Sequence, residues 1–105
     1  MFKVGQNIQI NQGLDIYQSV YNAGFQYAGS SDDACTLATA SRGIGQVMGI
    51  RPMLASTNPG VNDNWVKIAW QLTPTLLLYK LPAQKFNQTE WEYSEQWLLK
   101  YFTVI

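Results

Sequence analysis

The fold of this chain depends on the stretch SDDACTLATASRGIGQVMGI, Ser31–Ile50. At 100° per residue its apolar side chains gather on one side of a helix and its polar side chains on the other. The apolar side consists of Ala34, Leu37, Ala40, Ile44, Val47 and Met48. The serines and aspartates at its start suit an N-cap and the positive end of a helix dipole. The pattern predicts a helix over Ser31–Gly49 that passes through ASRGIG without a break.

The glycines of this stretch raise one alternative. ASRGIG resembles the TGxxxGIG string of short-chain dehydrogenases, in which the turn from the first strand into the first helix meets a dinucleotide. Thr39 stands where that string has its first glycine, and an acidic helix start precedes the stretch instead of a buried strand. No Tyr-x-x-x-Lys pair follows. We therefore expect a helix and no nucleotide cofactor, with Gly43 and Gly45 explained by the close approach of a neighbouring element.

Two elements are predicted before this stretch. From Phe2 to Ile10 apolar and polar residues alternate loosely, which predicts a strand interrupted by Gly5. From Leu14 to Ala28 the polar residues fall within one arc of roughly 100°, which predicts a helix.

A hairpin is predicted in the second half of the chain. Trp65–Leu72 alternates apolar and polar residues, and Thr75–Leu81 is apolar on both faces, as in a covered strand. The loop before it, Arg51–Asn64, is long, and long loops in small domains are often functional. Its candidate pocket residues, next to a face of Trp and Tyr side chains, are Asn58, Asn62 and Asp63. A plain surface connection remains the alternative.

The last predicted helix, Thr89–Phe102, begins with a capping box formed by Thr89 and Glu92. Its apolar residues cover an arc of about 240°, far wider than the usual stripe of about 100°. The inward stripe is predicted to contain Trp91, Leu98 and Phe102. The second stripe is predicted to meet another chain through Tyr93, Trp97 and Tyr101. Coverage of both stripes by loops of the same chain is the alternative.

These elements predict one domain over residues 1–105 with an α+β fold. A small antiparallel sheet, made of the N-terminal strand and a hairpin near 65–81, is covered by helices in the order β-α-α-β-β-α. A chain of this length is long enough to bury one core.

The charge of the chain is low and balanced. Charged residues make up 13% of the sequence, and the formal net charge is zero. Nucleic-acid binding and polybasic membrane anchoring both need excess positive charge, so neither partner is expected. A neutral, charge-poor surface favours association with protein. No apolar run approaches the roughly 18 residues of a membrane span, and no signal peptide is evident, so we expect a cytoplasmic or virion location.

Few side chains suit catalysis or metal binding. The chain has no histidine and one cysteine, Cys35, which removes the commonest general base, the commonest metal ligand and any internal disulfide. The aspartates next to Cys35 disfavour a thiolate, so we expect an inert buried thiol. The carboxylates lack the spacing of a calcium loop. No catalytic, metal or cofactor site is predicted, and an enzyme is the least favoured class.

Two functional classes follow from these observations. The first is a non-enzymatic structural or assembly subunit, such as a small phage or viral virion protein, that forms a homo-oligomer or larger assembly through protein contacts. The alternative is a small binding or regulatory module that uses the loop at 51–64 and the Trp and Tyr face.

Overall fold

The computed structural model describes residues 1–22, 31–53, 63–71 and 90–105. Within these ranges the chain forms three helices and five strands. In chain order they are β1 (Asn7–Ile10), α1 (Ile16–Asn22), α2 (Ser31–Ala40), β2 (Ile44–Pro52), β3 (Asn64–Trp70), β4 (Glu90–Ser94), α3 (Glu95–Tyr101) and β5 (Phe102–Val104). The predicted class, a small α+β fold, is confirmed together with the predicted element order.

The five described strands form one antiparallel sheet in the order β4-β3-β2-β1-β5. β2 lies at the centre and pairs with both β1 and β3. β5 pairs with β1, with Val104 opposite Ile8, so the last described strand lies beside the first. The N-terminal strand therefore belongs to the sheet, as predicted. The other predicted hairpin strand, Thr75–Leu81, lies outside the described residues.

The core lies between one face of this sheet and the helices. On β3 the core-facing residues are Val66, Ile68 and Trp70, as their alternation predicted. The largest fully buried side chains are Trp91, Tyr93, Ile8, Leu37, Ile68, Leu98, Val20, Val47 and Val66. Burying one aliphatic or aromatic side chain of this size contributes about 1.5–3 kcal/mol, so packing across the sheet dominates the stability of the fold.

The helix predicted through ASRGIG is wrong beyond Ala40. α2 ends there in a Schellman motif, in which the Gly43 N–H donates to the Ala38 carbonyl at 2.8 Å. The Arg42 N–H donates to the Thr39 carbonyl at 3.0 Å. Arg42 and Gly43 have positive φ angles of 59° and 73°, which turn the chain out of the helix. The ASRGIG segment is thus a helix C-cap that leads into β2.

The apolar spacing of β2 imitates a helix because apolar residues lie on both faces of the strand. Its register with β3 shifts between Val47 and Gly49, which leaves Met48 exposed. Ile44 and Val47 are three residues apart and lie on opposite faces of the strand, although the same spacing also fits one face of a helix. Hydrogen bonding to strands on both sides then outweighs the local helical pattern.

Gly43 and Gly45 each lie close to a neighbouring strand, Gly43 to β1 and Gly45 to β3. A Cβ built at Gly45 would lie 2.6 Å from Ile68 Cγ2 and 3.2 Å from Trp70 Cε3. A side chain at position 45 would therefore displace the Ile68 and Trp70 side chains of β3. The turn also leads from a helix into a strand, whereas a dinucleotide-binding turn leads from a strand into a helix.

The predicted helix Thr89–Phe102 divides into a strand and a shorter helix. In β4, Trp91 and Tyr93 face the core, with Trp91 opposite Ile68 of β3. α3 begins after Ser94, whose hydroxyl accepts the Trp97 N–H at 3.4 Å. The first predicted residue of that helix lies outside the described residues. The wide apolar arc thus arose from joining a two-residue period to a 3.6-residue period.

The remaining helices are short. Of the predicted helix Leu14–Ala28, the structure shows α1 from Ile16 to Asn22, and residues 23–28 lie outside the described ranges. Asp15 caps α1 by accepting the Gln18 N–H at 2.8 Å. Among the residues that the structure describes, no helix combines the length and the hydropathy needed to cross a membrane.

We expect Gly45→Ala to lower the free energy of unfolding by about 1–3 kcal/mol, because the added methyl overlaps Ile68 and Trp70. Urea unfolding followed by circular dichroism measures this change. The matched control is Gly49→Ala in the same strand, where the nearest atom to the added methyl is Lys67 Cβ at 3.9 Å. Its effect should stay within about 0.5 kcal/mol. Equal losses in both variants would contradict the close contact between β2 and β3.

Candidate functional site

Two aromatic side chains of α3 form a surface patch, in which Trp97 is exposed and Tyr101 is partly buried against the core. Trp97 and Tyr101 lie one helical turn apart and stack, with ring centroids 6.4 Å apart and an angle of 16° between the planes. Lys100 Nζ lies 4.7 Å from the centre of a Trp97 ring. Trp97 is 42% exposed. We call these three residues the aromatic patch. The stacking and the cation–π contact hold its side chains in one arrangement.

α3 presents the aromatic patch because its opposite side is packed into the core. Leu98 is fully buried, and Phe102, which follows the helix, lies with its ring centroid 5.9 Å from that of Trp70. The predicted inward residues Trp91, Leu98 and Phe102 are all buried, although Trp91 belongs to β4.

Both ends of α3 are also fixed by hydrogen bonds. At the C-terminal end, the Asn11 N–H donates to the Tyr101 carbonyl at 2.7 Å, and Asn11 Nδ2 donates to the Lys100 carbonyl at 3.4 Å. At the other end, Ser94 caps the helix. The backbone that carries the aromatic patch is therefore held at both ends.

Tyr93 was predicted beside Trp97 and Tyr101, but it lies in the core. Its exposed fraction is 0%, because β4 turns its side chain toward α2 and the core face of the sheet. Its hydroxyl accepts the Trp70 Nε1–H at 3.3 Å, and the two rings meet edge to face with centroids 6.0 Å apart. Tyr93 is thus a satisfied core residue, and the surface stripe contains Trp97 and Tyr101 without it.

Burial raises the pKa of the Tyr93 hydroxyl far above its ordinary value of 10. The hydrogen bond from Trp70 lowers the pKa, and the nearby Cys35 thiol raises it, but both effects are smaller than that of burial. Cys35 itself is fully buried. Neither group is placed to react with a molecule in solution.

Asp63 was predicted as a pocket residue of the 51–64 loop, and the structure gives its carboxylate another role. Oδ1 accepts the backbone N–H of Asn64 at 2.8 Å and of Gln96 at 3.2 Å, and Oδ2 accepts the Ser94 hydroxyl. The carboxylate therefore ties the start of β3 to the start of α3. Asn58 and Asn62, the other two predicted loop residues, lie outside the described residues.

Two further carboxylates at this end of the sheet are buried and partnered. Glu95 accepts the Phe2 N–H at 3.1 Å and the Asn64 Nδ2–H at 3.0 Å. Glu92 forms an ion pair with Arg51, whose Nε lies 2.7 Å from Oε2. Within the described ranges, no group of three or more His, Cys, Asp or Glu residues is arranged to hold a metal ion.

A groove lies beside the aromatic patch, where β1 and β5 meet the turn into α1. Its volume is about 470 Å³. Its walls carry no charged side chain and consist of Gln9, Ile10, Asn11, Gln12, Gly13, Leu14, Ile16, Thr103 and Ile105. Sequence reasoning missed this groove because its walls come from opposite ends of the chain. The contact between Lys100 and the Trp97 ring was also missed. The spacing of three residues on one helix could have indicated this contact.

Comparison with known proteins finds no relative. No protein-family model matches the chain, and neither a curated protein nor a solved structure matches it.

We expect Tyr93→Phe to change the response of the fold to alkali. The folded pKa of Tyr93 exceeds the unfolded value of 10, so its hydroxyl contributes no pH dependence below about pH 10. Above that pH the unfolded chain loses the proton first, and the free energy of unfolding falls by up to about 1.4 kcal/mol per pH unit. The variant lacks this loss. Urea unfolding of both proteins between about pH 8 and 11 tests it.

At neutral pH the same variant leaves the buried Trp70 N–H without its acceptor, which costs about 1–3 kcal/mol. All other titratable side chains are identical in the two proteins, so the comparison isolates position 93. Parallel curves of stability against pH for the parent and the variant would contradict the buried position of Tyr93.

We expect Asp63→Ala to destabilise the fold by about 1–2 kcal/mol, because it leaves the backbone N–H of Gln96 and the Ser94 hydroxyl without their acceptor. Asp63→Asn retains one carbonyl oxygen and should lose less. Thermal unfolding of both variants measures the difference. An unchanged melting temperature in Asp63→Ala would return this side chain to the candidate ligand-binding residues.

Proposed function

We propose that this chain is a non-enzymatic structural or assembly subunit that acts through protein–protein contacts, such as a virion component of a phage or virus. The observation that carries the proposal is the aromatic patch, in which the exposed Trp97 stacks on the partly buried Tyr101 on a helix fixed at both ends. A contact surface of this kind needs a partner of complementary shape and no reacting group.

The energetics of association favour this use of the patch. Trp and Tyr are the residues that most often dominate the binding energy of protein interfaces. Their ordering in advance by stacking lowers the entropy lost on binding. Lys100 supplies the one charge of the patch, and its contact with the Trp97 ring partly satisfies that charge.

The low charge of the chain supports the same proposal. A net charge of zero gives copies of the chain no overall electrostatic repulsion, so self-association is not opposed at long range. The alternative, a small binding or regulatory module built on the 51–64 loop, has less support, because the carboxylate of Asp63 is occupied in capping α3.

We expect the parent protein to self-associate, and Trp97→Ala and Tyr101→Ala each to weaken that association by about 30-fold, the equivalent of about 2 kcal/mol. Light scattering over a concentration series gives the solution mass. Leu99→Ala is the matched control, since Leu99 is 49% exposed on another side of the same helix. It should shift the association by less than about threefold.

Two results would contradict the proposal. One is a parent protein that stays monomeric at every concentration. The other is an effect of Leu99→Ala as large as that of the two aromatic truncations, since exposed apolar area in general would then drive the association.

A further inference from the structure

The outer edge of β5 carries backbone groups that point away from the sheet. Val104 lies opposite Ile8, and the flanking Ile105 N–H donates to the Asn7 carbonyl at 2.9 Å. In an antiparallel ladder the residues that bond to one neighbour alternate with those that point to the other side. Thr103 therefore directs its N–H and carbonyl toward β1, and Val104 directs both outward. Within the described sheet no strand lies on that side.

This edge lacks the charged side chains, proline and bulge that often keep sheet edges apart, and its short length of three residues is the one protective feature that it has. Monomeric proteins protect edge strands with lysine, proline or a bulge. Residues 102–105 read FTVI, with no charge and no proline, and no register shift is present between β1 and β5. Val104 is 43% exposed and Ile105 is 62% exposed. The groove along this edge is likewise free of charged side chains. Such an edge is suited to pair with another strand.

We propose that β5 pairs with β5 of a second copy of this chain, antiparallel and about a two-fold axis that passes beside Val104. This inference rests on the proposed function, for which it names the partner. The Val104 N–H of each copy donates to the Val104 carbonyl of the other, and the sheet continues from one subunit into the next. Thr103 of each copy lies opposite Ile105 of the other.

A second copy suits the edge because the edge is self-complementary. An isologous contact requires one surface to match itself after a two-fold rotation. The outward donor and acceptor of Val104 belong to one residue, so the rotation brings each donor to an acceptor. Thr103 and Ile105 carry no charge, so the cross-strand pairs contain no repulsion. The aromatic patch ends at Tyr101, directly before β5, and borders this contact.

Charge placed at positions 103 and 105 tests the contact and its register. Thr103→Lys with Ile105→Glu puts opposite charges across the two-fold axis, and Thr103→Lys with Ile105→Lys puts like charges there. Both variants lose the hydrogen bond from the Thr103 hydroxyl to Asn11, so they form a matched pair. Sedimentation equilibrium gives the association constants, and circular dichroism checks that both variants fold. We expect the lysine–glutamate variant to self-associate at least about tenfold more tightly than the lysine–lysine variant.

A third variant tests the backbone. Val104→Pro removes the outward N–H and leaves the bonds from Thr103 and Ile105 to β1 in place. We expect it to give folded protein with association at least about tenfold weaker than that of the parent. Folded Val104→Pro protein that associates like the parent would overturn the pairing.

The outcomes separate this inference from the proposed function. If the parent self-associates and the two charge variants do so equally, or lose association equally while folded, the β5 pairing is wrong and the assembly function stands. If the parent is monomeric throughout, both are wrong.

Discussion

The central strand β2 is the constraint on which the rest of the structure depends, because it must hydrogen-bond to β1 on one side and to β3 on the other. A side chain at position 45 would displace the Ile68 and Trp70 side chains of β3 from this pairing. With β2 in place, α2 has to end at Ala40, β1 gains its partner, and β5 gains a partner in β1. A helix over the same residues would remove both ladders and leave the facing edges of β1 and β3 without hydrogen-bonding partners.

The connection from β4 through α3 to β5 fixes the position of α3 relative to the sheet. β4 and β5 lie at opposite edges, and the chain between them consists of α3 alone. The helix is capped through Ser94 at one end and bonded by Asn11 at the other, so its exposed side has a defined position. Because folding already orders this backbone, the contact proposed for Trp97 and Tyr101 would cost little further backbone entropy.

Three carboxylates of the described residues are bound by other groups of the same chain. Glu92 is paired with Arg51, Glu95 accepts hydrogen bonds from the N-terminal segment and β3, and Asp63 holds the start of α3. Buried carboxylates with such partners are costly to disturb, because removing one partner leaves a desolvated charge or donor. The exposed apolar and amide side chains of α3, β1 and β5 remain for contact with other molecules, which is the basis of the assembly proposal.

The sequence by itself determined the features that depend on local spacing. These are the α+β class, the strand β3, the burial of Leu98 and Phe102, and the position of Trp97 and Tyr101 on one side of a helix. The tertiary structure alone decided whether residues 44–52 and 90–94 are helix or strand, whether Tyr93 is exposed, and what Asp63 binds. The physical reason is that a strand with apolar residues on both faces, or a strand that runs into a helix, shows an apolar spacing that also fits one long helix, and only hydrogen-bonding partners far away in the chain distinguish the two.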